Sequence, residues 1–318
     1  MKKNIAIICS GGDVSGMNPA LKHFVEYSFE NGYQPFFVHN GYEGLIDGHI
    51  TPANYTDVAG ILTKGGSIIG SARSQRFLEK EYREKAYKQL QKHNIDKLVI
   101  LGGDGSFHGM NQFALEYKIN FSAIPATIDN DIYATEYSLG VDTALNIIKN
   151  AVDAIRDTAS TFHRAFIIET MGRDCGYLAL VSHLTSGSEL CLIPEVKYDL
   201  QHYKQKFQKE LQNGRTYFIA IVAEGVEQKS EEIAQWFENE LNIEARVTVL
   251  GHTQRGGNPT VYDRLMAYKF VHYAIDALMR NNTTNSVVCY TKDGFQYKTI
   301  QEVVGNKKEL DPELIALL

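Results

Sequence analysis

Short apolar runs that alternate with helix-length amphipathic stretches predict an α/β fold on mostly parallel sheet. Two further observations support that class. Glycines, carboxylates and arginines gather directly after the apolar runs, where open α/β sheets collect their ligands. At 318 residues the chain also exceeds one small core, so one large or two medium domains are expected.

The strand candidates, in order, are Ile5–Cys9, Pro35–Val38, Leu98–Leu101, Phe121–Ile124, Ala165–Ile168, Tyr217–Ala223 and Val247–Leu250. Between them lie charged amphipathic stretches. Glu79–His93 predicts a helix, and Leu139–Thr158 another that Asp142 or Thr143 is placed to cap. Gln201–Gln212 and Ser230–Leu241 read the same way. No long low-complexity linker interrupts the pattern, so two domains would be joined by ordinary loops. There is no short-period repeat, although the two halves share a loose strand and helix alternation.

Composition narrows the function. The chain is 44% hydrophobic and 22% charged, as a water-soluble globular protein is. A net charge of -6 argues against a nucleic-acid or anionic-membrane surface. Cys9, Cys175, Cys191 and Cys289 form no C-x-x-C pair, which fits reduced thiols in the cytoplasm better than a disulfide or zinc framework. The apolar run after Met1-Lys2-Lys3 is shorter than a signal-peptide core, and no run reaches transmembrane length.

Chemistry is carried by the loops. Ser10–Asn18 holds Gly11, Gly12 and Gly16 ahead of a helix, where backbone N–H groups can meet phosphate. It matches neither the dinucleotide fingerprint nor the P-loop, and a strand-to-helix turn that binds nothing fits equally well. Gly102-Gly103-Asp104-Gly105-Ser106 sets one carboxylate among small residues, more glycine than a tight turn needs, and Asp104 suits magnesium through its waters. Thr127-Ile128-Asp129-Asn130-Asp131 is the sharpest signal. A sugar hydroxyl is a weak nucleophile, and a carboxylate beside it can take its proton as it attacks phosphorus. An Asx-turn cluster would explain Asn130 but not two carboxylates and a threonine at one strand end. Arg73, Arg164, Arg173, Arg246 and Arg255 suit a sugar-phosphate cradle if they converge, since arginine binds phosphate bidentately. Singly, such an arginine is a solvated surface group, and His252 alone reads as structural.

Taken together, Gly11-Gly12-Asp13, Gly16-Met17-Asn18, Gly70–Arg73, Gly102–Ser106, Thr127–Asp131, Met171-Gly172-Arg173, Pro194-Glu195-Val196 and Gly251–Gly257 resemble the bacterial ATP-dependent 6-phosphofructokinases. The resemblance runs from about residue 4 to about residue 280 with the motifs in order. It implies two Rossmann-like domains, residues 1–140 with 254–304 and residues 141–253 with 305–318, and an active-site cleft between them. It also implies a Mg2+- and ATP-dependent kinase acting on the 1-hydroxyl of fructose 6-phosphate, as a homotetramer. By the same resemblance Asp129 is the general base, Asp104 and Asp131 serve magnesium, and Gly12, Arg73 and Thr127 steady the transferring group. Met171, Gly172, Arg173, Glu224, His252 and Arg255 hold the sugar phosphate, with Arg164 and Arg246 reaching in from a neighbouring subunit. Tyr42, Gly103, Gly105, Ser106 and Gly109 line the nucleotide site.

Some positions depart from the family pattern. Ala126 stands where ATP users have glycine and pyrophosphate users have lysine, and Gly105 stands where pyrophosphate users have aspartate. Ser74 and Leu78 replace an aromatic and a basic residue near the adenine. The positions matching the family's effector pocket are Lys22, Glu26, Tyr55, Arg156, Asn213, Arg215, Thr216 and Tyr217, with much of the usual positive charge gone. The competing readings are a pyrophosphate-dependent phosphofructokinase, an NAD or lipid kinase sharing the Gly-Gly-Asp-Gly loop, and a catalytically silent sugar-phosphate sensor. Gly105 and Ala126 speak against the first. Thr127–Asp131 with Gly251–Gly257 speaks against the second, and the retained Asp104, Asp129 and Asp131 against the third.

Overall fold

A computed structural model describes residues 3–279 and 285–318. In chain order its elements are β1 (Lys3–Cys9), α1 (Met17–Glu30), β2 (Tyr33–Val38), α2 (Gly41–Asp47), β3 (Ile50–Pro52), α3 (Lys80–Lys92), β4 (Ile95–Gly102), α4 (Asp104–Glu116) and β5 (Asn120–Pro125). Then follow α5 (Val141–Phe162), β6 (Ala165–Thr170), α6 (Tyr177–Ser186), β7 (Leu190–Leu192), α7 (Leu200–Gln212), β8 (Phe218–Ala223), α8 (Ser230–Leu241) and β9 (Ala245–Val249). The last are α9 (Val261–Met279), β10 (Ser286–Thr291), β11 (Gly294–Thr299), α10 (Ile300–Val304) and α11 (Pro312–Ile315). The chain divides into two compact units, Met1–Thr143 with Arg255–Glu309, and Ala144–Gln254 with Leu310–Leu318.

The first unit is built on a seven-stranded sheet in the order β11-β10-β5-β4-β1-β2-β3. Its inner pairs are parallel, and β3 and β11 close the edges antiparallel. Ile5–Cys9 and Leu98–Gly102 are buried on both faces, which is why these strands read as unbroken apolar runs rather than alternating ones. Ile8, Leu98 and Ile100 meet Phe77, Phe107, Phe113 and Phe121 in one core. Each such ring taken from water contributes about 1.5–3 kcal/mol.

A four-stranded parallel sheet, β7-β8-β6-β9, carries the second unit. Phe207, Phe218 and Phe237 pack on Ile167 and Ala220, with the Phe207 and Phe218 rings 4.6 Å apart.

Each predicted strand corresponds to an observed one, within a few residues. The cap expected for α5 is not there. The helix starts at Val141, so Asp142 and Thr143 lie inside its first turn. The N–H groups of Gly140 and Thr143 go instead to the carboxylate of Asp263, in α9. Leu139 is not helical, because it forms a bridge with Ala126.

Candidate active site

In the first unit three strand ends stand side by side. Cys9 of β1 registers with Leu101 of β4, and Gly102 of β4 with Pro125 of β5. The segments that follow, Ser10–Gly16, Gly103–Ser106 and Ala126–Asp131, therefore emerge together. Ser106 Oγ donates to Ser10 Oγ at 3.0 Å, and Ser10 also bridges to Ala72. Ser71 Oγ donates to the Gly11 carbonyl at 2.9 Å, and the exposed Arg73 follows two residues later. A Cβ on Gly103 would come 3.6 Å from Thr127 Cβ. Gly12 faces Arg255, and a Cβ there would come 2.5 Å from Arg255 Nη1, so a larger residue would push the guanidinium from this place.

Asp129 is 3% exposed, and Thr127 Oγ1 accepts its N–H at 3.3 Å. Asn130 takes a left-handed backbone at φ 53° and donates to the Glu136 carbonyl at 3.0 Å, which folds the loop back on itself. Asp131 is partly exposed. Asp104 opens α4 with its side chain 55% exposed, within 3.5 Å of His108. Among the described residues no three His, Cys, Asp or Glu side chains form a metal cage. Asp104 and Asp131, single carboxylates open to solvent, are a kind of donor that suits a magnesium ion shared with phosphates.

Tyr42 is buried. Its ring stacks on Phe77 at 3.9 Å, and its hydroxyl donates to the Ser106 carbonyl at 2.5 Å. Burial pushes that phenol well above its ordinary pKa. Gly109 lies against the Tyr42 and Phe77 rings, with 3.3 Å to each from an added Cβ. Tyr42 thus presents neither its hydroxyl nor a free ring face, and it supports α4 from beneath. Gly105 opens on free space, with no atom within 4 Å of an added Cβ.

The second unit holds a charged set at the ends of β6, β8 and β9. Glu224 Oε1 accepts the N–H groups of Gly172 at 3.1 Å and Arg173 at 2.8 Å. Those bonds hold Arg173 at φ 53°. Gln254 Oε1 accepts the Met171 N–H at 3.2 Å. His252 is exposed in the short helical turn that ends with Arg255. Arg164 and Arg246 lie at the opposite ends of β6 and β9, both paired with Glu244, the first at 2.6 Å.

The phosphofructokinase family pattern matches residues 4–278. The chain belongs to the phosphofructokinase family. It is 63% identical to the ATP-dependent 6-phosphofructokinase of Sulfurimonas denitrificans, across 99% of both chains. It is 49% identical to that of Wolinella succinogenes, across 98% of both. Among solved structures, phosphofructokinase from Saccharomyces cerevisiae superposes with a TM-score of 0.90 at 31% identity, over 96% of this chain and 45% of the yeast chain. A pyrophosphate-dependent phosphofructokinase from Marinobacter aquaeolei gives a TM-score of 0.84 at 18% identity, over 98% of this chain and 86% of the other, a likeness of fold alone.

Within the first unit the phosphofructokinase fold brings together Gly12, Gly103, Asp104, Ser106, Thr127, Asp129 and Arg255. Within the second it gathers Met171, Gly172, Arg173 and Glu224. Sequence reasoning passed over three residues. Gln254 and Ser10 act through buried polar contacts, and each stands beside a motif already singled out. Asp263 gave no signal, because an acidic residue in a helix's first turn ordinarily faces solvent and the helix dipole.

Proposed function

We propose that this chain transfers the γ-phosphoryl group of ATP to the 1-hydroxyl of fructose 6-phosphate, giving fructose 1,6-bisphosphate and ADP in glycolysis. The observation that carries this reading is a buried aspartate, Asp129, beside Thr127 and the Gly103–Ser106 loop at adjoining strand ends.

Asp129 takes the proton of the sugar hydroxyl as that oxygen attacks. Its burial removes competing water and keeps the carboxylate at fixed depth. Thr127, Gly12 and Arg73 steady the transferring group through a hydroxyl, a close backbone and a guanidinium. Arg255 neutralises charge beside Gly12. Gly103, Gly105, Ser106 and Gly109 admit the nucleotide. Asp104 and Asp131 would hold Mg2+, which would neutralise phosphate charge. Met171, Gly172, Arg173, Glu224 and His252 bind the sugar phosphate, and Glu224 fixes the Met171–Arg173 turn rather than reaching only for substrate. Arg164 and Arg246 complete the sugar site of a neighbouring copy in a homotetramer. Among the described residues no helix is long and apolar enough to cross a membrane, and we place the enzyme in the cytoplasm.

The test is Asp129→Asn, which keeps the shape and removes the proton acceptor. Turnover should fall about 10²–10⁴-fold, the scale of a lost general base, with the half-saturation for the sugar within a few-fold of wild type. Near-normal turnover would assign the base to another group.

A further inference from the structure

Asp263 is 0% exposed and lies in the first turn of α9. Its Oδ1 accepts the Tyr137 hydroxyl at 2.6 Å and the Gly140 N–H at 2.7 Å. Its Oδ2 accepts the Thr143 N–H at 2.8 Å and the Thr143 hydroxyl at 2.5 Å. All four donors come from Tyr137–Thr143, the stretch that closes the Asp129 loop and opens α5. Short bonds to a carboxylate in a dry interior are the strong ones.

That segment is the closing side of the catalytic loop. The loop opens at Ala126 and closes at Leu139, and these two residues form a bridge. Leu139 N–H donates to the Pro125 carbonyl at 2.9 Å, and the next residue, Gly140, is held by Asp263. Inside the loop, Thr135 and Glu136 are tied to Tyr290 of β10, and Asn130 to Glu136. On the side from Tyr137 to Thr143, the Asp263 carboxylate alone takes four of the donors, beside the Leu139–Pro125 bond.

The phosphate loop leans on the same point. An added Cβ at Gly140 would lie 2.6 Å from Val14 Cβ, and one at Gly16 would lie 3.7 Å from Gly140 N and 3.8 Å from Asp263 Oδ1. The return segment is fixed there too. Thr260 N–H donates to Thr143 Oγ1 at 3.1 Å, and Thr260 Oγ1 donates to Asp142 Oδ2 at 2.5 Å. Ser15 Oγ contacts the carbonyls of Gly256 and Gly257, each at 2.9 Å, just after Arg255.

We propose that Asp263 is a positioning residue for phosphoryl transfer: its buried carboxylate sets the Asp129 loop against the Gly12 loop and touches no substrate itself. Burial raises the Asp263 carboxyl above its ordinary pKa, and its four donors offset part of that cost. An amide at this position cannot serve, because its NH2 would face one pair of donors and its single oxygen would be left for the other. The proposal rests on Asp129 acting as the general base.

The experiment measures kcat and both KM values for Asp263→Asn, Tyr137→Phe, Thr143→Ala and Asp129→Asn, with melting temperatures and native mass checked for each. A misplaced catalytic loop should act on kcat. Asp263→Asn should lose about 10–100-fold in kcat, as a misplacement near 1 Å does, with both KM values within about threefold. Tyr137→Phe and Thr143→Ala, each removing one donor, should lose less in kcat with the same split. A purely structural carboxylate would lower the melting temperature and leave the kcat of folded enzyme unchanged, which overturns the proposal. If Asp263→Asn does not fold, Tyr137→Phe and Thr143→Ala decide it, and unchanged kcat in both overturns it. Near-normal turnover in Asp129→Asn would overturn the general-base reading instead. A silent Asp129→Asn beside fully active Asp263 and Tyr137 variants would overturn only the positioning.

Discussion

The loops of the first unit and those of the second solve different problems. Asp129 sits buried in the loop that follows β5, its N–H accepted by Thr127 Oγ1. Arg173 is exposed and Arg246 is 52% exposed; Arg246 and Arg164 are held by a glutamate rather than by the core. A proton acceptor must be fixed and dry to act in the transition state, and the burial of Asp129 meets that demand of its proposed role. A phosphate-recognising guanidinium keeps its charge in water and needs only a pairing partner until the ligand comes. On the proposed roles, chemistry is housed in packing and recognition in electrostatics.

The largest break in that comparison would come from charge placed in the nucleotide loop. Gly105→Asp fits the fold, because no atom lies within 4 Å of the added Cβ. A carboxylate there would repel the triphosphate, and like charges brought this close cost several kcal/mol. Steady-state assays should show kcat/KM for ATP lowered about 10²-fold with an unchanged melting temperature. An effect below threefold would mean that the nucleotide phosphates do not pass this loop.

Next is Glu224→Ala, which orphans the N–H groups of Gly172 and Arg173 and releases the left-handed Arg173. Lost charge-assisted bonds of this kind cost about 1–3 kcal/mol. The sugar half-saturation should rise about tenfold, with that for ATP steady. Equal rises for both substrates would point to a general loosening of the second unit.

Arg164→Ala and Arg246→Ala should raise the sugar half-saturation more than that for ATP. Mixing either variant with Asp129→Asn should restore some activity, because sites shared between copies can be completed in a hybrid. A fully active monomer at high dilution would contradict the shared site.

The smallest effect concerns regulation. Lys22 is paired with Glu26, and Arg156 holds the Ser186 carbonyl. Arg215 lies in a cavity of about 270 Å³ with Lys206, Glu189 and Glu210, and is paired to both glutamates at 2.5 and 2.8 Å. An anionic effector would have to displace these carboxylates, and it shifts the enzyme only by its differential binding. Millimolar ADP or phosphoenolpyruvate, at fixed Mg-ATP, should move the sugar saturation curve less than twofold. A several-fold shift abolished by Arg156→Ala would show that the remaining charges suffice.

The sheets were legible in the sequence because strands buried on both faces give unbroken apolar runs, as Ile5–Cys9 and Phe218–Ala223 do. The three-residue strands β3 and β7 were not, being too short to show a period; β10 was passed over although Ser286–Cys289 is buried, and β11, half-buried along most of its length, shows no apolar face. The site motifs were legible because glycine and aspartate mark loops after strands. What they bond to was not. That Tyr42 spends its hydroxyl on a backbone carbonyl, that Glu224 caps a turn, and that Asp263 reaches the Asp129 loop are contacts between distant segments, set by packing.

The central claim is an ATP-dependent transfer to fructose 6-phosphate, and one coupled assay of the purified enzyme tests it most directly. With fructose 6-phosphate and magnesium, ATP should support turnover and pyrophosphate should not. Turnover with pyrophosphate and none with ATP would contradict the account, as would silence with both.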